Sequence, residues 1–558
     1  MYQWRQFLRT LSQKEKIIFS SFLISIVLSS FVLIHGHYLA MTFKIPDSGG
    51  NYVEGAVGAP RYLNPVLAPG NDIDRDLTAI IFSSLFKQGP DGELVGDLAA
   101  SYEIGDFGKV VDIRLREDAF WHDGQKLTAD DIVFTVKIIQ DPAFKSPWRP
   151  NFVGIEVEKI EDYYLRFKLK NYYAPFLQNL TFGIIPKHLW QNVSAGQFSL
   201  HDLNLKPIGS GPFAFEELQK NKEGDIQSVS LAANKEYYLG RPYLKNFEFI
   251  FFKNQTEALE NLKQGAIDGI NYLPLQLFDE IKDKNSLTIH QLELPRTFVL
   301  FLNQNQSTAL SDLDVRKALN HATDKNELVA KVLKGQGFAI EGPFPPGVTG
   351  YLQEDSPFPF DLEKAKAILE NKGWKDEDGD GIREKNGEKL AVGLVTLDWF
   401  ELKETALLIK EQWQKAGVLV DLTFEDAATL QQTVIRPRQY QSLLFGEILN
   451  REPDPFAFWH SSQKTDPGLN IALFDNKKAD ELLSAARQEL DKQLRAEKYQ
   501  QFNDLLIEGA PAVFLFGQHY LFAAERHVQG LNIEAVNHPS ERFNFVHQWY
   551  KRTERVWK

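Results

Sequence analysis

The densest group of side chains that could bind or react with another molecule lies at residues 446–460. An apolar run at 442–445 predicts a buried strand, which we expect to end at Gly446. The residues that follow combine carboxylates, a guanidinium and aromatic rings, and Pro453 and Pro455 rule out a helix there. Stiff loops at the ends of buried strands often form binding sites in α/β proteins. The alternative interpretation is a surface loop whose aromatic residues only cover the core.

The sequence contains none of the common catalytic motifs. There is no Gly-x-Ser-x-Gly elbow, no His-Glu-x-x-His, no dinucleotide glycine fingerprint and no Walker loop. Glu447 and Glu452 could form a glycosidase pair only at a suitable spatial separation, which the sequence does not give. We therefore expect no enzyme activity and no cofactor.

One loop has a partial calcium-binding pattern. Asp376, Asp378 and Asp380 occupy positions one, three and five, and Gly381 and Ile382 follow where a calcium loop needs them. The twelfth position, which normally carries a bidentate glutamate, is Gly387. The two interpretations are a calcium site and a tight acidic hairpin, and the hairpin is favoured.

Composition and charge exclude several classes of protein. The chain has 558 residues, 43% of them hydrophobic and 25% charged, which is ordinary for a globular protein of two or three domains. The formal charge of −13 argues against a nucleic-acid partner. The absence of cysteine excludes disulfides, thiolate chemistry and cysteine-based zinc sites. Predicted strands and helices alternate along the chain, which indicates an α/β protein.

The N-terminal region contains a membrane-spanning pattern. Residues 17–39 include no Asp, Glu, Lys or Arg, and as a helix they would be roughly 35 Å long, enough to cross a bilayer. The basic residues of segment 1–16 place this segment in the cytoplasm and the remainder of the chain outside. A cleaved signal peptide and a buried core helix are the alternatives. An uncleaved, single-pass anchor in the cell membrane is favoured because no clean cleavage site follows.

From about residue 51 onward the chain resembles the family 5 extracytoplasmic solute-binding proteins, the oligopeptide, dipeptide and nickel-binding group that serves ABC transporters. The resemblance depends on a series of short motifs in a shared order. These motifs are Leu63-Asn64-Pro65, the segment 92–99, Ile113-Arg114-Leu115-Arg116, Trp121-His122-Asp123-Gly124, the segment 127–131, the segment 209–213, the segment 315–319 and Pro453-Asp454-Pro455.

The resemblance implies a periplasmic-binding-protein fold of type II, with two lobes and an extra domain, preceded here by one transmembrane helix. Ligand would bind between the lobes, which close by a hinge motion. The expected divisions are lobe one at 45–85, 208–293 and 525–558, inserted domain two at 86–207, and domain three at 294–524.

Arg451 departs from the pattern of peptide binders in this family. Those proteins often carry an Ala-Asp pair before the Pro-Asp-Pro turn, and the Asp holds the ligand's α-amino group. Here the corresponding residues are Asn450 and Arg451, and a guanidinium favours a carboxylate or phosphate. Either Glu447 or Glu452 holds the amine, or the ligand is not an ordinary peptide. Arg451 could instead pair with Glu452 or Asp454 as a structural residue. A further carboxylate site is conceivable at 436–438.

The leading hypothesis is a membrane-anchored, monomeric receptor that captures a peptide or peptide-like solute and delivers it to an ABC transporter permease. The sparse histidines near the cleft motifs argue against nickel. The alternatives are an anchored hydrolase on the same fold and a transport-independent sensor or scaffold. The residues expected to line the cleft are Asn303, Trp399, Glu447, Arg451, Glu452, Asp454 and Trp459.

Overall fold

The structure is a computed structural model that describes residues 12–351 and 356–558. The basic residues Arg5 and Arg9 of the expected cytoplasmic segment lie outside the described residues. The α-helices are Gln13–Met41, Asp72–Ile81, Ala129–Gln140, Lys187–Trp190, Ala195–Phe198, Gln255–Gln264, Leu275–Phe278, Thr308–Ser311, Leu313–His321, Lys325–Lys331, Leu362–Asn371, Phe400–Lys415, Ala427–Thr429, Phe456–Trp459, Lys477–Ala486 and Lys492–Gly509.

The first sheet combines widely separated parts of the chain. Strands Asn51–Val57, Asn246–Phe252 and Gly269–Ile270 run parallel at its centre. In spatial order its strands are Leu287–Leu292, Tyr520–Glu525, Gly269–Ile270, Asn51–Val57, Asn246–Phe252, Ile226–Ala233 and Phe213–Lys220. Strand Tyr520–Glu525 spans the boundary between 524 and 525 that we expected between domain three and lobe one.

The second sheet is built from strands that lie between residues 296 and 518. The continuous apolar strand Arg296–Leu302 lies inside it, because both of its faces pack on the hydrophobic core. In spatial order its strands are Gly337–Ala339, Ala512–Gln518, Arg296–Leu302, Ser442–Ile448, Ala391–Leu397 and Leu419–Glu425.

A third sheet lies within residues 86–207, the range expected for inserted domain two and named the inserted region here. Its strands in spatial order are Ala99–Gly105, Val110–Leu115, Tyr164–Lys168 and Glu156–Glu161. In the chain, helix Ala129–Gln140 lies between strands Val110–Leu115 and Glu156–Glu161. It begins with a capping box, in which Asp131 accepts the backbone amide of Thr128 at 3.0 Å. Shorter two-stranded sheets pair Phe86–Gln88 with Leu94–Gly96, Glu384–Lys385 with Glu388–Lys389, and Thr42–Asp47 with Arg552–Trp557.

The N-terminal helix has the properties of a membrane span. Helix Gln13–Met41 contains a window of mean hydropathy 2.6, and none of that window is buried against the remainder of the chain. The helix passes directly into strand Thr42–Asp47, and Arg555 of the C-terminal strand donates hydrogen bonds to Leu39 O and Thr42 O at its end. This arrangement excludes a buried core helix.

The strand predicted at 442–445 is longer than expected. It runs through Gly446 and ends at Ile448. A Cβ atom at Gly446 would lie 3.3 Å from the ring of Phe298 on the paired strand, so glycine here allows close packing rather than ending the strand. Glu447 therefore lies inside a central strand and not in the loop.

Candidate ligand-binding site

A cavity of about 510 Å³ lies at the carboxyl ends of the parallel strands in the first sheet. Loops that follow parallel strands leave this edge of a sheet open, which is where α/β proteins bind ligands. Among the lining residues, Gly58 and Asn271 directly follow two of these strands, and Gln255 lies three residues after the end of the third. The wall opposite includes Arg296, the first residue of a strand in the second sheet, so the cavity lies between the two sheets.

Several polar side chains face this cavity without a protein partner. Within residues 12–351 and 356–558, the guanidinium groups of Arg61 and Arg296 form no hydrogen bond or ion pair. In the same ranges, Oε1 of Gln255 and Oδ1 of Asn271 are buried and have no hydrogen-bond partner. Unpaired buried polar atoms are costly, and guanidinium groups favour carboxylates. The part of the lining around Arg61 and Arg296 is therefore suited to a negatively charged group of a polar ligand.

A smaller cavity of about 140 Å³ shares Tyr272, Arg296 and Tyr520 with the first and extends it toward the second sheet. Trp399 lines this extension and is 57% exposed, because it lies in the short turn between strand Ala391–Leu397 and helix Phe400–Lys415. The exposed indole provides an apolar contact surface beside the polar cavity.

A buried ionic cluster adjoins the larger cavity through Asp76, which belongs to the lining. Arg542 donates hydrogen bonds to Asp76 at 2.7 Å and to Glu54 at 3.1 Å, and all three side chains are almost fully buried. Tyr52 donates a hydrogen bond of 2.5 Å to Glu54. Burial raises the pKa of Glu54, while the guanidinium of Arg542 opposes that rise. The cluster fixes the position of Asp76 beside the cavity, since removing one partner would leave an unpaired buried charge.

Glu447 is buried away from both cavities. Its side chain is on the same face of the second sheet as the directly paired Thr297, and neither of its carboxylate oxygens has a hydrogen-bond partner among the described residues. Burial raises its pKa to about 8, so the carboxyl group is mostly protonated at neutral pH. Because the strand continues through Gly446, Glu447 lies within the sheet, and it lines neither cavity.

Glu452 and Asp454 form ion pairs that join parts of the chain. Glu452 accepts hydrogen bonds from Arg495 at 2.7 Å and Thr349 at 3.0 Å. Asp454 accepts from Arg487 at 2.5 Å and from the hydroxyl of Tyr173, in the inserted region, at 3.1 Å. With these partners both carboxylates hold elements together, and neither lines the two cavities.

Arg451 lies at a junction of three regions with a side chain only 12% exposed. Its Nη1 donates to Gly347 O at 3.2 Å, its Nη2 lies 3.8 Å from Glu293, and its side chain packs against Gly92 of the inserted region. The ion partner is thus Glu293, in place of the Glu452 or Asp454 expected from the sequence. Burial lowers the pKa of Arg451.

Asn303 and Trp459 are both fully buried. Asn303 directly follows strand Arg296–Leu302 and donates to Arg438 O at 3.2 Å, so it fixes a turn. Trp459 packs among Phe301, Phe474 and Phe514 in the core. Neither residue lines the cavities. Trp459 belongs to a short helix that begins immediately after the Pro-Asp-Pro turn.

The two arginines of the carboxylate site suggested at 436–438 have partners within the protein. Arg438 donates hydrogen bonds to three backbone carbonyls, those of Ile435, Lys464 and Gly468. Arg436 lies on the surface 3.8 Å from Asp466. These two arginines stabilise a loop and lie away from the cavities.

Sequence reasoning missed the polar residues of the larger cavity, namely Arg61, Gln255, Asn271 and Arg296. A usable signal was present, because Gln255 and Asn271 follow closely on short apolar segments typical of strands. Which of those strands are parallel neighbours depends on pairings between residues about 200 positions apart, such as Asn246 with Asn51. The sequence does not display those pairings.

Residues 93–470 match the family model for bacterial extracellular solute-binding proteins, family 5, middle region. The chain belongs to this family. Among its relatives, the oligopeptide-binding protein AppA of Bacillus subtilis (strain 168) is 30% identical over 515 residues, which cover 90% of this chain and 92% of AppA. The resemblance seen in the sequence motifs is therefore confirmed.

Solved structures of relatives have the same fold. AppA of Bacillus subtilis in complex with a nonapeptide superimposes with a TM-score of 0.69 at 29% identity, covering 91% of this chain and 99% of AppA. The ABC transporter substrate-binding protein CtaP of Listeria monocytogenes gives a TM-score of 0.79 at 25% identity, covering 91% and 100%. The predicted α/β periplasmic-binding fold is confirmed, and the chain is an extracellular solute-binding protein with an apolar N-terminal helix.

Proposed function

We propose that this protein captures a peptide or peptide-like solute in the cavity between its two sheets and delivers it to an ABC transporter permease. The observation that carries the proposal is a cavity lined by Arg61 and Arg296, whose guanidinium groups have no partner among the described residues. The cavity is also lined by Gln255 and Asn271, whose carboxamide oxygens have none in the same part of the chain. Membership in the solute-binding family and the nonapeptide complex of AppA support the same class of ligand.

The chemistry of the lining fits a peptide that ends in a carboxylate. A guanidinium forms two parallel hydrogen bonds with a carboxylate, and these bonds are strong when they are shielded from water. The carboxamides of Gln255 and Asn271 each offer both a donor and an acceptor, as a peptide group requires. A cavity of about 510 Å³ is within the range of about 300–1,000 Å³ that is typical of small-ligand sites.

The proposed location is the cell membrane, with the ligand-binding part of the chain on the outer side. Helix Gln13–Met41 anchors the protein in the membrane, its N-terminus is cytoplasmic, and the sheets are outside. The exposed aromatic residues Tyr38, Phe43 and Trp557 surround the helix end at the level where aromatic side chains favour the membrane interface. The protein acts as a monomer, and lobe one and domain three close over the ligand.

The test is native mass spectrometry of the full chain, purified in detergent without denaturation, followed by fragmentation of the released molecules. We expect a set of peptides. The same peptides, in free-acid and C-terminally amidated forms, are then titrated against the wild type and Arg296→Gln. The substitution should weaken binding of the free acids by about ten- to a hundredfold and leave the amides unchanged, since it removes one charge-assisted interaction.

Arg436→Gln provides the matched control, because Arg436 is a surface arginine that lies away from the cavity. It should bind both forms of each peptide like the wild type. Release of a single non-peptide compound, or equal binding of free acids by the wild type and Arg296→Gln, would refute the proposed ligand class or the assigned carboxylate site, respectively.

A further inference from the structure

The acidic loop at 376–384 brings three carboxylates together on the surface of the second half of the chain. It connects the region after helix Leu362–Asn371 to strand Glu384–Lys385. Asp376, Asp378 and Glu384 each place a carboxylate oxygen within 4.8 Å of the other two. Three converging carboxylates repel one another unless a cation lies between them.

Glu384 distinguishes this loop from an ordinary acidic turn. Glu384 is only 7% exposed, and its Oε2 accepts a hydrogen bond from the backbone amide of Glu377 at 3.0 Å. Its Oε1 is buried and has no hydrogen-bond partner within the described parts of the chain. The Glu384 carboxylate belongs to the same group as those of Asp376 and Asp378, so it brings a buried oxygen without a partner to the place where a cation would bind.

The backbone of the loop has the arrangement that presents oxygens to a hard cation. Gly381, at the sixth position, has a φ of 86° and donates its amide to Asp376 at 3.1 Å, which makes the sharp turn of a calcium loop. Gly379 donates to the other oxygen of Asp376 at 2.8 Å. These bonds hold Asp376 in one orientation.

The set of carboxylates differs from the one expected from the sequence. Asp380, at the fifth position, forms an ion pair with Lys389 and accepts the amide of Ile382 at 2.8 Å. Glu384, at the ninth position, takes the place of the absent glutamate at the twelfth, because strand Glu384–Lys385 turns its side chain back into the loop.

We propose that Asp376, Asp378 and Glu384 bind one calcium ion. The ligands are all oxygens, which suits calcium or magnesium and not the softer transition metals. The three carboxylates come from unevenly spaced positions in the loop, and calcium tolerates an irregular set of ligands better than magnesium, which requires a strict octahedron. Calcium sites in extracellular modules have dissociation constants of about 10⁻⁴–10⁻³ M, and this site lies on the extracytoplasmic side of the proposed membrane topology.

The ion has a structural consequence. Arg383, next to Glu384, donates to Trp374 O at 2.8 Å and to Ala416 O at 3.0 Å, and so joins the loop to the end of helix Phe400–Lys415. Calcium that fixes Glu384 also fixes Arg383. We therefore expect calcium to raise the unfolding temperature of the full chain.

The experiment is an isothermal titration calorimetry measurement in which calcium chloride is added to the full chain in detergent. It is done with the wild type, Glu384→Gln and Glu388→Gln. Glu388 lies in the same hairpin, is exposed and carries the same charge, so its substitution is the matched control. We expect one ion per chain for the wild type and Glu388→Gln, and at least tenfold weaker binding for Glu384→Gln. Magnesium chloride should bind more weakly than calcium.

Unfolding temperatures in EDTA provide the check on folding. Glu384→Gln should match the wild type in EDTA and should lose the rise that calcium gives the wild type. If Glu384→Gln does not fold in EDTA, Asp378→Asn, at an exposed position, takes its place with the same expected result. The proposal is overturned by absence of wild-type binding up to about 10 mM calcium, ten times the weakest affinity usual for such sites. Equal binding by the wild type and the folded variant overturns it as well.

Discussion

The buried carboxyl group of Glu447 makes a quantitative prediction about stability and pH. Burial without a partner raises its pKa from 4.5 to about 8. Between these two values the folded chain keeps the proton while the unfolded chain releases it, so the folded state binds about one proton more. The free energy of unfolding therefore falls as the pH rises, by about 1.4 kcal/mol for each pH unit.

Glu447→Gln removes this titration. Between pH 5 and pH 7.5 the carboxyl group costs the wild type about 3 kcal/mol of stability that the variant does not lose. The amide of glutamine is also unpaired, but its cost does not depend on pH and cancels in the comparison. Other buried acids, such as Glu541 with its pKa of about 7, are common to both proteins and cancel as well.

The assay is urea unfolding of the full chain in detergent at pH 5 and pH 7.5, followed by tryptophan fluorescence. Trp413 and Trp459 lie in the same hydrophobic core as the strand that carries Glu447. Stability of the variant relative to the wild type should rise by about 3 kcal/mol from pH 5 to pH 7.5. Parallel pH dependence in the two proteins would refute the argument, because it would mean that Glu447 is ionised or paired in the folded state.

Glu452→Gln is the matched control, five residues further along the chain. Its carboxylate accepts hydrogen bonds from Arg495 and Thr349, so the same substitution should destabilise the protein at pH 7.5 by about 1–3 kcal/mol. The two glutamates are therefore expected to respond with opposite signs. A stabilising effect of Glu452→Gln would contradict the ion pairs described above.

Two further predictions concern the contacts between regions. Tyr173→Phe should lower stability by about 1 kcal/mol in urea unfolding, because it removes the hydrogen bond to Asp454, whereas Tyr172→Phe should have no effect, since the Tyr172 hydroxyl has no hydrogen bond within the described residues; equal effects would show that this bond contributes nothing. For the anchor, the full chain expressed in a bacterial host should remain in the membrane fraction after carbonate extraction and retain residues 17–39 by intact mass; a soluble product lacking them would show that the segment is a cleaved signal peptide.

Several elements could be predicted from the sequence because their causes are local. The apolar helix Gln13–Met41, the capping box at Thr128 and the apolar strand Arg296–Leu302 depend on residues that are close together in the chain. The order of family motifs was likewise readable, and it identified the family and the fold. In each case the deciding information lies within about twenty consecutive residues or in their order.

The ligand-binding assignments were harder because they depend on what surrounds each side chain. The sequence could show that residues 446–460 contain many charges, but not that Arg487 and Arg495 would pair with Asp454 and Glu452. It also could not show that the strand would continue through Gly446 and bury Glu447. Charged residues in a loop have the same sequence pattern whether their partner is a ligand or another part of the chain.

The sequence by itself determined the family, the apolar helix and the alternation of strands and helices, since these follow from local periodicity and motif order. Only the tertiary structure decided which side chains remain unpaired. Pairing of strand Asn246–Phe252 with Asn51–Val57 forms the cavity edge, and the opposite sheet brings Arg296 to it. Likewise, the short strand Glu384–Lys385 brings the side chain of Glu384 to the acidic loop. An unpaired polar group is defined by everything around it, and that is a property of the whole fold.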